Sequence, residues 1–290
     1  MSVVRWWFSP VPLARVAVFR AIVYVFLVWS VLFLTNDVVG HGYAAELYQP
    51  TLLGRVLPFP EPSVPVAYGL LAIIVVGSFV AASGRLPRAA GWTVAVAHTS
   101  WMVNTQGFAY VSHDHMALMI AVILLPTIGR ARFDDTTTSE SAGWVFRCIQ
   151  VATVATYAGS ALAKVIYNSS LTAWANSSIF SWAVMRRGSF LVDWTLQVPV
   201  VLRVGQWGVF LLEVLTPVVF WLRGRWQVGM ICLFFAFHLM TYVALGIHFL
   251  PTIVCWLTFF PLERLVPHAR TAWLRASGRV ASWRPALQQS

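Results

Sequence analysis

Long apolar runs, separated by short polar breaks, constrain this sequence more than any other feature. A hydrocarbon core about 30 Å thick is crossed by about 20 apolar residues of helix. Candidate runs of that kind stand at 12–34, 63–83, 89–107, 111–129, 144–167, 205–222, 227–246 and 248–262. Of the 290 residues, 59% are hydrophobic and only 10% charged, which is more apolar surface than a soluble core hides. The expected fold is an all-α integral membrane protein, a polytopic bundle of about eight transmembrane helices. The opening MSVVRWWFSPVPLARV has no small-residue cleavage site, so its first apolar run is expected to remain as a membrane helix.

Arginine placement predicts the orientation. With the N-terminus inside, the inner segments hold Arg5, Arg15, Arg85, Arg88, Arg130, Arg132, Arg223, Arg225, Arg264, Arg270, Arg275, Arg279 and Arg284. The outer segments hold Arg55, Arg186, Arg187 and Arg203. Thirteen against four puts both termini on the cytoplasmic side, in the cell's inner membrane. The formal charge of +10 therefore serves orientation in the lipid bilayer and builds no face for nucleic acid. Two longer outer segments, 35–62 and 168–204, carry prolines and aromatics, among them Trp174, Trp182 and Trp194. Interfacial helices capping the outer side are expected there.

Polar groups inside the apolar runs are the candidates for chemistry, because an ionisable side chain in a span costs roughly 2.5–3.5 kcal/mol on insertion scales. They are Arg20, His98, Arg147, Lys164, Glu213, His238 and, near a boundary, His248, with His113, Asp114 and His115 opening the fourth run. Lys164 is the only lysine; the other nineteen basic residues are arginine. Tyr157, Ser160, Ala161 and Lys164 fall on one helical face, as do His238, Thr241 and Tyr242. Lys164 reads either as a site residue or as a lysine snorkelling to the outer interface. His238 reads either as a site residue or as a satisfied core histidine, and His98 as a packing histidine. Arg20 and Glu213 are expected to form a structural ion pair within the membrane. His113 and His115, at i and i+2, point apart on a helix, so no metal site is expected. Cys148, Cys232 and Cys255 lie singly in apolar runs and read as small buried hydrophobes. No CxxC, HExxH, P-loop or GxGxxG pattern occurs.

Four segments, in order, carry a resemblance. QVATVATYAGSALAKVIYNSSLTAW sets Gln150, Tyr157, Lys164 and Trp174 on a lysine-bearing helix, and SHDHMALMIAVILLP leads with His113 and His115. GVFLLEVLTPVVFW carries Glu213, and FFAFHLMTYVALGIHFLPTIVCWLTFFP carries His238. Together they resemble the vitamin K-dependent γ-carboxylase family, the wider group of horizontally transferred transmembrane (HTTM) domains, over about residues 10–265. Arg20 falls where the family's first helix commonly has an arginine. The resemblance implies a carboxylase-like transmembrane domain at 1–265 and a basic cytoplasmic tail at 266–290. It looks like a small bacterial-type member, without the large extracytoplasmic region of the animal carboxylases. The glycine that usually follows the family's tryptophan is missing from TAWANSS.

In that family the lysine deprotonates a quinol, oxygen adds, and the resulting strong base lets a glutamate take up CO2. The resemblance thus implies Lys164 as base, with His115 and His238 as further catalytic residues. Tyr157, Ser160, His113, Trp174 and Tyr242 become candidates for binding the substrate or quinone. The implied reactants are a reduced quinone (vitamin K hydroquinone or menaquinol), O2 and CO2, at a site facing the extracytoplasmic side. A peptide or protein substrate, and a soluble partner supplying the outer domain, are the expected partners. Three functions stay open: a quinol-activating, carboxylase-like enzyme; a quinone- or peptide-binding module in maturation or assembly; and a small transporter.

Overall fold

The computed structural model of the protein describes residues 2–109, 113–168 and 170–266. The basic tail from residue 267 onward lies outside them. The principal helices are α1 (Leu13–Phe33), α2 (Val64–Ala82), α3 (Ala89–Gly107), α4 (Met116–Ile128), α5 (Glu140–Tyr167), α6 (Ser178–Arg187), α7 (Pro199–Leu215), α8 (Arg225–Leu245) and α9 (Leu250–Trp256). The sheet consists of two-residue strands, Val11–Pro12 paired antiparallel with Thr138–Ser139. The protein is all-α, with helices at each of the apolar runs.

Among the described residues, five helices are long and apolar enough to cross a membrane: α1, α2, α5, Pro199–Phe220 and α8. Two further apolar helices, His113–Ile128 and Leu250–Phe259, are shorter. Helix α3 matches α2 in length, but His98, Ser100, Asn104 and Thr105 dilute its hydropathy, and all four are buried. The sixth run begins earlier than its apolar pattern suggests, at Pro199, because proline fits the first turn of a helix where its missing N–H is not needed. The same chemistry ends the regular helix: Pro217 lacks the N–H an α-helix requires, and Thr216–Phe220 tightens into a 3-10 turn.

The helices group into two compact units. Of the described residues, the first holds 2–109, 121–148 and 257–266, and the second holds 113–120 and 149–256.

In the first unit, α1 is the inner helix and packs against α2, which packs against α3. Its buried stripe includes Phe19, Val23, Tyr24 and Leu27. Outward, α2 exposes Ile73, Val76 and Phe79, a surface suited to lipid rather than water. Buried Arg20 donates from Nη1 to Gly129 O at 2.6 Å and from Nη2 to Ala131 O at 2.8 Å, tying α1 to the loop after α4. Trp101 Nε1 donates to Thr35 Oγ1 at 2.9 Å. Arg15 grips Glu263 with both arms of its guanidinium, at 2.7 and 2.8 Å.

In the second unit, Ala161, Trp174, Ala175 and Phe210 form a core, extended by Val165, Phe180, Trp207 and Val209. The 168–204 stretch folds into Leu171–Trp174, α6 and the short turn Asp193–Gln197. Gln206 Nε2 donates to Trp174 O at 2.7 Å and fixes the stretch on α7. Helix α8 ends at Gly246, whose φ of +67° suits only glycine at low cost, and its N–H closes on Tyr242 O at 2.8 Å.

Candidate functional site

Within the second unit, a cavity of about 460 Å³ lies among α5, α6, α7, α8 and the start of α9. Most of its wall is apolar, with Phe180, Phe237 and Phe249 its aromatic faces. Two groups of polar side chains on the wall are joined by hydrogen bonds.

The first is built by α5 and α7. Helical periodicity brings Tyr157, Ser160 and Lys164 to one face of α5, and all three line the cavity. Lys164 Nζ donates to Ser160 Oγ at 2.9 Å and to Glu213 Oε1 at 2.6 Å, and also contacts Oε2. Ser160 in turn donates to Glu213 Oε1 at 3.3 Å, closing a small ring of hydrogen bonds. The ammonium sits 4.7 Å from the Trp174 ring centroid, a cation–π contact. The two charged side chains are 15% and 8% exposed. Lys164 therefore turns its head to a carboxylate on the cavity wall.

The expected pairing of Arg20 with Glu213 is corrected by this arrangement. Glu213 is taken by Lys164, and the Nη atoms of Arg20 are taken by two backbone carbonyls. A buried guanidinium needs several acceptors in its plane, and loop carbonyls supply them as a carboxylate would.

The second polar place is His238 with its supports. Trp256 Nε1 reaches Tyr157 Oη at 3.1 Å, and Tyr157 Oη lies 2.5 Å from His238 Nε2. An indole N–H can only donate, so the tyrosine oxygen accepts it, and the phenol hydrogen goes to Nε2. With Nε2 accepting, the neutral ring carries its proton on Nδ1. That atom is buried and has no hydrogen-bond partner among the described residues, while the ring lines the cavity. The relay thus leaves one buried N–H donor, a group that ordinarily finds an acceptor.

The histidines at the head of the fourth run sort differently from expectation. His113 lines the cavity, 6.1 Å from Phe249 between ring centroids, whereas His115 is 1% exposed and is not on the lining. The i, i+2 spacing turns one ring out of the core and the other into it. Tyr242 also departs: it is exposed, and Thr241 takes the place on the wall. Among the described residues, no group of three His, Cys, Asp or Glu side chains forms a metal site. His98 lies buried in the first unit.

Sequence reasoning passed over Trp256 and Phe249, which bring the relay and an aromatic wall to the site. Nothing local marks either residue. The role of Glu213 had a signal that was ambiguous: three cations, Arg20, Arg147 and Lys164, compete for the one acid deep in an apolar run.

No family model, no curated protein and no solved structure matches the chain. The class that the fold and the cavity define is an all-α protein with helices long and apolar enough to cross a membrane and a mostly apolar cavity.

Proposed function

We propose that the second unit binds a lipid-soluble quinol and acts on it with Lys164 as base, in the manner of the carboxylases that the sequence resembles. The observation that carries this reading is the cavity: mostly apolar walls, with the Lys164–Ser160–Glu213 ring and His238 among the polar groups that line it. A quinol needs those features, an aromatic slot with polar contacts for its two oxygens. The unpartnered Nδ1–H of His238 and the aromatic walls of Phe237 and Phe249 fit such a molecule.

When bound, the quinol supplies two electrons to oxygen. The chain's own groups handle protons and charge. Lys164 passes a proton to Glu213 and, as a free amine, takes one from the hydroxyl beside it. His238 donates Nδ1–H to the oxygen at the other polar place, where negative charge gathers on deprotonation. His113 lies on the lining in place of His115, so His113 is the histidine assigned to the site. Trp174 covers the lysine and excludes water. CO2 uptake by a glutamyl or peptide substrate would follow, with a soluble partner presenting that substrate.

This reading includes about eight spans with both termini cytoplasmic. The shorter apolar helices α4 and α9, and the buried α3, would be the further spans beside the five long ones. It also includes Leu171–Trp174 and α6 as interfacial pieces, in a bacterial inner membrane, with the site facing outward.

One observation favours a second reading. Lys164 is already satisfied by Glu213, which suits a stable binding pocket as well as a base. A quinone- or peptide-binding module, without turnover, would need only that.

The deciding experiment measures quinol turnover in nanodiscs with reduced vitamin K or menaquinol, oxygen and bicarbonate, comparing wild type with Lys164→Met. Turnover that vanishes in the variant supports the enzyme. Absence of turnover in both proteins, with quinone still bound, moves the function to the binding module.

A further inference from the structure

A second site stands in the first unit, apart from the quinol reading. A cavity of about 570 Å³ is lined by Arg20, Arg85, Arg132, Asp134, Ser83 and Gly84. A smaller cavity of about 460 Å³ shares Arg85 and adds Arg88 and Arg130. Five arginines thus gather on two loops, 83–88 and 129–134, and on the buried face of α1.

Their positioning is specific. Gly84 has φ +70°, and a Cβ there would come 3.3 Å from Arg20 Nη2, so glycine lets the loop close over the buried guanidinium. Gly129 has φ +79°, and a Cβ there would lie 3.1 Å from the Arg88 guanidinium. Both loops therefore need glycine to bring the arginines together. Arg20 uses its Nη atoms on Gly129 O and Ala131 O, and its Nε is buried without a hydrogen-bond partner among the described residues. Arg132 on the lining also acts electrostatically on neighbouring Asp135. Asp134 is the one carboxylate on the lining, and neighbouring Asp135 is held by Thr137, accepting from its N–H at 3.0 Å and its hydroxyl at 2.6 Å. Orientation of the chain requires arginines near the membrane surface, but not their gathering around one cavity, with exposed Arg85 and Arg132 on the same lining as buried Arg20.

We propose that this cavity binds a phosphate-bearing anion, between Arg85 and Arg132 and above Arg20. Guanidinium forks match phosphate oxygens two at a time. The apolar share of the wall, Ala17, Ala82 and Phe133, suits the start of a phospholipid's acyl chains. A lipid headgroup and a free phosphate share this chemistry.

The test uses the full chain in detergent and in nanodiscs. Native mass spectrometry reads retention of phosphatidylglycerol against phosphatidylcholine, and inorganic phosphate is titrated as competitor. The anionic lipid is expected to be retained over the zwitterionic one, and Arg85→Gln or Arg132→Gln to weaken it about fivefold each. The Arg85→Lys/Arg132→Lys pair keeps the orienting charge and is expected to weaken retention through loss of the forks. Asp134→Asn removes the opposing charge and is expected to tighten it, an outcome misfolding does not produce. Displacement by millimolar phosphate assigns the site to a soluble phosphate; persistence assigns it to the headgroup. Equal retention of both lipids with no phosphate binding, or a double lysine variant and Asp134→Asn that both match wild type, overturns the site.

Discussion

Lys164 and Glu213, 49 residues apart on α5 and α7, meet as an ion pair on the wall of an apolar cavity, with Ser160 bridging them. Removing one partner leaves the other charge stranded where water is scarce. Glu213→Gln is expected to cost about 3–5 kcal/mol, while Lys164→Met with Glu213→Leu costs far less, because no charge is left behind. Unfolding in detergent measures both. Equal destabilisation by the single and double variants would show the pair to be energetically idle.

Tyr157 is the middle of the relay from Trp256 to His238. Tyr157→Phe strands the indole N–H and Nε2 together, at a cost of about 1–3 kcal/mol for the unmet buried groups. It also releases the tautomer. Nitrogen chemical shifts of His238 should report a proton on Nδ1 in wild type and a mixture in the variant. A wild-type ring protonated on Nε2 would sink the relay.

Ala183 lines the cavity from α6. Ala183→Trp places a large ring in the space a ligand would use. Quinone binding is expected to fall at least tenfold (about 1.4 kcal/mol). Binding that is unchanged in a folded variant places the quinone elsewhere.

The Arg15–Glu263 pair supplies a pH dependence outside the cavity. Burial works against the Glu263 charge, but the Arg15 hydrogen bonds, a backbone hydrogen bond and the charges of Arg15 and Arg264 together outweigh it and hold its carboxyl below the ordinary value of 4.5. A lowered value means that the stabilisation is fully present above 4.5 and is lost as pH falls through the folded-state value. Glu263→Gln should cost on the order of 1 kcal/mol at neutral pH and flatten the acid limb of the stability profile. An acid limb identical in the variant would remove Glu263 as its source.

Trp174 both covers the lysine and packs in the core with Phe210. Trp174→Phe retains most of the packing and weakens the cation–π contact, whereas Trp174→Ala loses about 3–5 kcal/mol. The ratio of turnover to stability across the two variants separates the functions. If both vary in parallel, Trp174 serves packing alone.

The sequence by itself determined the all-α class and where the long apolar helices lie, because length and apolarity are properties of each segment locally. It also determined that Tyr157, Ser160 and Lys164 share a face, since helical periodicity needs no knowledge of the rest of the chain. Tertiary structure alone decided the partners. Lys164 had Glu213 within reach while Arg20 found loop carbonyls, and charge counting treats those outcomes alike. Spacing set His113 and His115 apart but left open which one turned toward the cavity. Trp256 carries no local mark, yet it fixes the proton on His238. Each of these contacts joins residues far apart in the chain, and the geometry of helix packing, rather than any local period, brings such groups within hydrogen-bond distance.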